Sequence, residues 1–258
     1  MNQACDDTLW QPLHAELDRW SGARRQIRLW LRDDDAIAPS PALDRLAGLG
    51  ERFGLPVLLA VIPMLAEPAL ASALRSMPSL RPCQHGCWHR NHASEGAKKS
   101  EFGLQRPAAE VSAEIIEARR RLEDLFGAEL LPVFVPPWNR IDTGHAALLP
   151  ALGFQGLSCF RGYELGPTGG PRLANTDLDI LDWGGRTGRK PEDLIAEACR
   201  LLAAKRTAPT PDGDAFGVLM HHRDHDETAW GFLDAFVARA SRHAAVIPTD
   251  PRTLFRLD

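Results

Sequence analysis

Residues 55–62, Leu55-Pro56-Val57-Leu58-Leu59-Ala60-Val61-Ile62, limit most severely what this chain can fold into. The run is almost unbroken in apolar residues, so it offers no face to water. A strand of that kind is covered on both sides, as in a parallel sheet flanked by helices. Similar apolar stretches recur at 27–31, 80–84, 131–135, 154–160, 178–183, 216–220 and 244–247. Between them the sequence predicts helices over 41–53, 66–76, 107–126, 145–152, 191–205 and 228–241. The clearest is 107–126, where Val111, Ile115, Leu122 and Leu125 recur at helical spacing and Gly127 supplies the stop. Pro41 and Gly54 bracket helix 41–53 in the same way. An opening helix over 8–21 carries Leu9, Leu13, Leu17 and Trp20 on one side and is expected to act as a lid.

Strands alternating with helices over seven or eight βα units predict an α/β fold, and at 258 residues a barrel rather than an open sheet. No repeat and no linker-like composition interrupts the pattern, so residues 1–258 are expected to form one domain with a core over about 26–250. Other classes recede on composition. A formal net charge of −4 gives no reason to expect nucleic acid. The first ten residues lack the basic and apolar parts of a signal peptide, and the longest apolar stretch, 55–65, contains two prolines and is too short to span a bilayer. Five scattered cysteines argue against a disulfide framework. A cytoplasmic protein without membrane partners is the expectation; its oligomeric state is open.

In a barrel the loops after the strands meet on one face, and ligands bind there. Five such segments carry unusual residues. Arg32-Asp33-Asp34-Asp35 follows the first strand. Gln84-His85-Gly86-Cys87-Trp88-His89-Arg90-Asn91-His92 places three imidazoles within eight residues. Pro136-Pro137-Trp138-Asn139-Arg140, Asp179-Ile180-Leu181-Asp182-Trp183 and His221-His222-Arg223-Asp224-His225-Asp226 complete the set. Singly, each has an ordinary reading: Asp runs are often solvated turns, tryptophans pack barrels, and nine histidines in the chain allow chance clustering. Together at five strand ends they point to a metal site or a hydrolytic centre, since imidazole serves both as ligand and as acid–base group.

These five segments, in this order, resemble the motifs of the polysaccharide deacetylases, the NodB-homology domain or carbohydrate esterase family 4. That family's pattern is Asp-Asp, His-Ser/Thr-x-x-His, Arg-x-Pro-aromatic, Asp-x-x-x-Trp and Leu-x-His. Here they read Asp33-Asp34-Asp35, His85-Gly86-Cys87-Trp88-His89, Val135-Pro136-Pro137-Trp138, Asp179 to Trp183 and Leu219-Met220-His221. The resemblance implies a deformed (β/α) barrel and a divalent ion, zinc above all, held by one Asp and two His. It implies hydrolytic removal of an acetyl group from an N-acetylated sugar or related amide by metal-activated water, with an Asp base and a His acid. Carried onto this chain, His85 and His89 are ligands. The triple Asp leaves two registers: Asp34 as base with Asp35 as ligand, or Asp33 and Asp34 in those roles. The Arg-x-Asp-Asp start of some relatives favours Asp34 and Asp35. His221 matches the acid, with His222 beside it, and the Trp138 N–H would meet the oxyanion.

Two positions depart from the pattern. Phe134 and Val135 stand where the third motif has its Arg, and Gly86 replaces the second motif's Ser/Thr. Arg32 and Arg140 are the candidates to replace the missing cation. Asp179 and Asp182 are candidates to orient the catalytic His. Cys83, Cys87 and His92 remain as groups around the ligands. The departures keep alive a second reading, a carbohydrate-binding relative whose chemistry has decayed. A third, a closed zinc site of Cys83, His85, Cys87 and His89, suffers from crowding four ligands into seven residues.

Overall fold

The run at 55–62 forms a strand over Val57–Val61 in which all five residues are buried. The computed structural model of the protein describes residues 3–208 and 213–257. In chain order its first half comprises α1 (Gln3–Gly22), β1 (Ile27–Ala36), α2 (Pro41–Phe53), β2 (Val57–Val61), α3 (Pro68–Leu74), β3 (Leu80–His85), α4 (Ala108–Phe126), β4 (Val133–Val135) and α5 (Thr143–Ala146). Short strands follow: β5 (Gly156–Leu157), β6 (Arg172–Leu173), β7 (Leu178–Asp179), β8 (Leu181–Asp182) and β9 (Thr187–Gly188). The chain then runs through α6 (Pro191–Thr207), β10 (Ala215–Met220), α7 (Glu227–Ala240), β11 (Val246–Pro248) and α8 (Pro251–Phe255).

The main sheet is parallel in the order β6-β5-β4-β3-β2-β1-β10-β7, with β11 beside the start of β1. Its two ends belong to one extended segment. Residues 172–176 bond to the β5 side, whereas Asp177 N–H donates to the Gly217 carbonyl and β7 pairs with β10. The sheet therefore curls into a deformed (β/α) barrel, as expected.

Alternation along β1 assigns its side chains to two environments. Leu29 and Leu31 face the helices with Val57, Leu59, Phe216 and Val218. Trp30 points inward with Leu58, Ala60, Cys83, Val133 and Val135, over a floor made by Leu254 and Phe255 of α8. The Trp30 ring meets Phe255 edge-on at 6.2 Å. It also explains Gly217 on the neighbouring strand, where a Cβ would lie 2.6 Å from the indole. Apolar packing thus fills the lower barrel and leaves the upper end to polar side chains.

Several elements differ from the sequence expectation. β1 does not end at Leu31 but continues through the Asp run to Ala36. Helix 145–152 splits into α5 and a 3-10 turn, Leu149–Leu152, that contains Pro150. The predicted strand 178–183 breaks into β7 and the first arm of a small β8-β9 hairpin. Helix α1 buries Trp10, Leu13, Leu17 and Trp20. It packs on α6 and α7, with Trp10 stacked on Phe232 at 5.7 Å and Glu16 bridged to Arg206 at 2.8 Å. No described helix is long and apolar enough to cross a membrane.

Candidate metal centre and its cleft

The upper end of the barrel opens into a cavity of about 760 Å³ whose walls include Asp34, Asp35, His85, His89, Trp138, Asp179, Trp183 and His221. Asp35 ends the inward-facing part of β1 in a left-handed conformation (φ 70°), which turns its carboxylate towards β3. Its Oδ1 lies 3.0 Å from His85 Nε2 and 3.3 Å from His89 Nε2. The Nδ1 of His85 is 3.0 Å from the Val135 carbonyl, which can only accept, so that nitrogen carries the proton. Neutral His85 then presents the Nε2 lone pair to a carboxylate oxygen that has no donor of its own.

Three ligand atoms lying within 4.8 Å of one another, all electron-rich, need a cation or a shared proton between them. The donor set of one carboxylate and two imidazoles suits zinc or a similar divalent ion and leaves coordination positions open. No other such group of His, Cys, Asp or Glu forms among the described residues. Without the ion, burial raises the Asp35 carboxyl, but a proton shared with His85 Nε2 and the nearby imidazoles outweigh it and hold it below the usual range. Burial lowers His85, yet Asp35 and Asp34 outweigh that and raise it, while burial and His85 lower His89.

Asp34 points into the barrel one layer deeper and is 2% exposed. Arg32, fully buried two residues earlier on the same face, grips it with Nε to Oδ1 at 2.9 Å and Nη2 to Oδ2 at 3.0 Å. The other guanidinium hydrogens go to Ser158 Oγ (2.7 Å), the Cys159 carbonyl (3.0 Å) and Asn139 Oδ1. All five donors of Arg32 are therefore used, as a buried guanidinium requires. Arg140, the other candidate, donates to the Lys99 carbonyl and is not at Asp34. Of the two candidates, Arg32 is the cation that meets Asp34.

Asp33 faces the opposite way. It is buried with His222, whose Nδ1 lies 2.5 Å from Asp33 Oδ1 and whose N–H donates to Oδ2 at 2.7 Å. Burial opposes the charge on His222, but Asp33 outweighs it and raises the imidazole pKa. His221 faces the cavity, with Nε2 4.0 Å from Asp34 Oδ2. Neither Asp179 nor Asp182 orients it. The Asp179 oxygens accept from Leu181 N–H and Trp183 Nε1, Asp182 accepts from Gly184 N–H, and His221 Nδ1 has no partner. Trp183 instead meets His221 edge-on at 4.5 Å, with its indole N–H held by Asp179. Trp138 and Asn139 both take left-handed conformations (φ 54° and 59°), and the Trp138 ring packs 4.3 Å from His89.

Glu101, in the segment between β3 and α4, is not among the residues that the sequence singles out. It is fully buried, and its carboxylate accepts from the N–H groups of Cys87 (3.1 Å), Trp88 (2.8 Å) and Arg90 (3.4 Å). That clasp fixes the turn carrying His89, which is itself left-handed at φ 57°. It also accounts for Gly86, where φ is 55° and a Cβ would fall 2.2 Å from Glu101 Oε2 and 2.5 Å from Pro137 Cδ. The only signal in the sequence was an acid among lysines, and nothing local marks it as buried. Glu101→Ala is expected to lose about 2–5 kcal/mol in urea unfolding of the metal-free protein, since buried donors left unmatched cost ~1–3 kcal/mol each. Zinc affinity should fall about 10- to 100-fold as its supporting group goes; unchanged affinity would show that the turn holds without Glu101.

The cysteines do not join the ligands. Cys83 faces the barrel core, Cys87 faces the α4 side, and burial pushes both thiols up, so the four-residue zinc cage is not formed. His92 is exposed and outside the cluster.

No family model matches the sequence, and no curated protein matches it. Solved structures do match the fold. A candidate polysaccharide deacetylase from Mycobacterium smegmatis is 15% identical, with 90% of each chain covered and a TM-score of 0.66. A family 4 carbohydrate esterase from Streptomyces lividans, solved with acetate, is 16% identical over 87% of this chain and 92% of its own, at a TM-score of 0.54. A mutant of a pseudoenzyme of that family, with restored activity, is 13% identical over 86% and 64%, at 0.56. The barrel is thus the one shared by the polysaccharide deacetylases, reached here with little sequence in common.

Proposed function

We propose that this protein is a metal-dependent hydrolase that removes an acetyl group from an N-acetylated carbohydrate or a related amide. The observation that carries the reading is the meeting of Asp35, His85 and His89 beside the buried Arg32–Asp34 pair, with His221 facing them across the cleft. Asp35, His85 and His89 would hold the divalent ion, zinc being the best match to the donor set. When bound, such an ion acidifies water and polarises a carbonyl. Asp34, gripped through both oxygens by Arg32, accepts the proton of the attacking water. The Trp138 N–H donates to the oxygen on which negative charge develops. His221 gives a proton to the departing nitrogen, so that the products are acetate and an amine.

The decayed-binder reading draws on the pseudoenzyme among the structural neighbours and on the missing third-motif Arg. Arg32 weakens it, because an arginine bound through both arms to the proposed base is retained at the right place from another part of the sequence. The deciding experiment is metal analysis of the purified protein together with acetate release from N-acetyl sugars. Stoichiometric zinc, lost in His85→Ala and His89→Ala, is the expected result. A protein that takes up no divalent metal under any loading condition would end the enzyme reading.

A further inference from the structure

The same cavity that holds the proposed ligands carries Lys98 and Arg140 on its wall, and Lys99 sits beside them with Nζ 6.0 Å from the Trp138 ring. Arg140 Nη1 donates to the Lys99 carbonyl at 3.0 Å, which binds the three cations into one patch. Among the described residues none of the three makes an ion pair. Other arginines of the chain do find a carboxylate: Arg45 with Glu227, Arg119 with Glu123 and Arg186 with Asp224, each at 2.8 Å. The remaining cation of the cavity, Arg161, is matched by Glu197 at 2.5 Å.

No acid inside the cavity pairs with the patch. Asp34 is spent on Arg32, Asp35 on the two imidazoles, and both oxygens of Asp179 on Leu181 and Trp183. Solvated lysines are common on loops, but these cations line a concave wall above a metal-type centre. An opposite charge held in such a cleft gains more than one on open surface, because low-dielectric walls focus the field. The guanidinium fork of Arg140 and the ammonium of Lys98 together suit an oxyanion.

We propose that the substrate of this site is an anion, an N-acylated sugar or related amide bearing a phosphate or carboxylate, and that Lys98 and Arg140 hold that group at the mouth of the cleft. The proposal rests on the hydrolase reading above and names its substrate class. It is tested on the zinc-loaded full chain with N-acetylglucosamine, its 1-phosphate, its 6-phosphate and N-acetylmuramic acid, read by calorimetric binding and by acetate release. At least one charged sugar should bind about tenfold more tightly than the uncharged one, and the advantage should shrink as ionic strength rises from ~0.05 to ~0.5 M. Lys98→Met/Arg140→Met should abolish the advantage while zinc content stays constant; both side chains are exposed, so folding is not at stake. Lys98→Arg should retain it. The phosphate and carboxylate arms separate the two sources of the charge.

Equal binding of charged and uncharged sugars, or a preference that survives the double substitution, overturns the proposal. The two readings also fail separately. Charge-dependent binding without acetate from any sugar removes the hydrolase and keeps the anion site, whereas acetate release without charge preference does the reverse.

Discussion

Asp34→Asn is expected to keep its metal and to lose turnover by about 10²–10⁴-fold, the usual worth of a general base. Asp35→Asn, one residue on, should lose both. The contrast follows from their settings. Asp35 shares an oxygen with the space between His85 and His89, while Asp34 lies one layer deeper on Arg32 and touches neither imidazole of that pair. Metal content by atomic spectroscopy and acetate release on the same preparations give both readouts. If Asp34→Asn loses the metal and Asp35→Asn retains it, the roles are reversed.

Arg32→Met is expected to destabilise the fold by about 3–5 kcal/mol, the cost of leaving one member of a buried ion pair without its partner. Asp34 is 2% exposed and has no other cation in contact, so its charge would lose both of its strongest hydrogen bonds. Arg32→Met/Asp34→Leu removes both charges and should recover most of that stability without recovering turnover. Urea unfolding of the metal-free variants measures this. A loss below ~1 kcal/mol in Arg32→Met would mean that water reaches Asp34 in the closed barrel and that Arg32 is not its essential partner.

The two departures from the deacetylase pattern turn out to have a common form. Beside the third motif, which lacks its Arg, a guanidinium comes from β1, two residues before Asp34, and beside Gly86 a carboxylate comes from Glu101 in a loop. In each case a charged side chain from elsewhere in the sequence occupies the space beside the motif. Motif comparison at fixed positions registers only the losses. Arg32 was at least within sight as a candidate, because it adjoins the Asp run; Glu101 was not, because its partners are backbone amides and carry no residue signature.

The sequence determined the barrel and the face on which chemistry gathers. Continuous apolar runs separated by helical periodicity allow little else, and the polar segments at their ends follow from the topology. It also determined that His85 and His89 lie near one another, since they are four residues apart in one turn. Only the tertiary structure decided which of three consecutive aspartates faces which partner. β1 runs on to Ala36, so strand alternation sends Asp33 outward to His222 and Asp34 inward to Arg32, and the left-handed turn at Asp35 swings the third towards the histidines. Three like residues in a row carry no mark of which way each will point. That is set by how far β1 stays paired with β2 and β10, and by partners more than a hundred residues away, Ser158, Asn139 and His222, whose positions exist only once the barrel has closed.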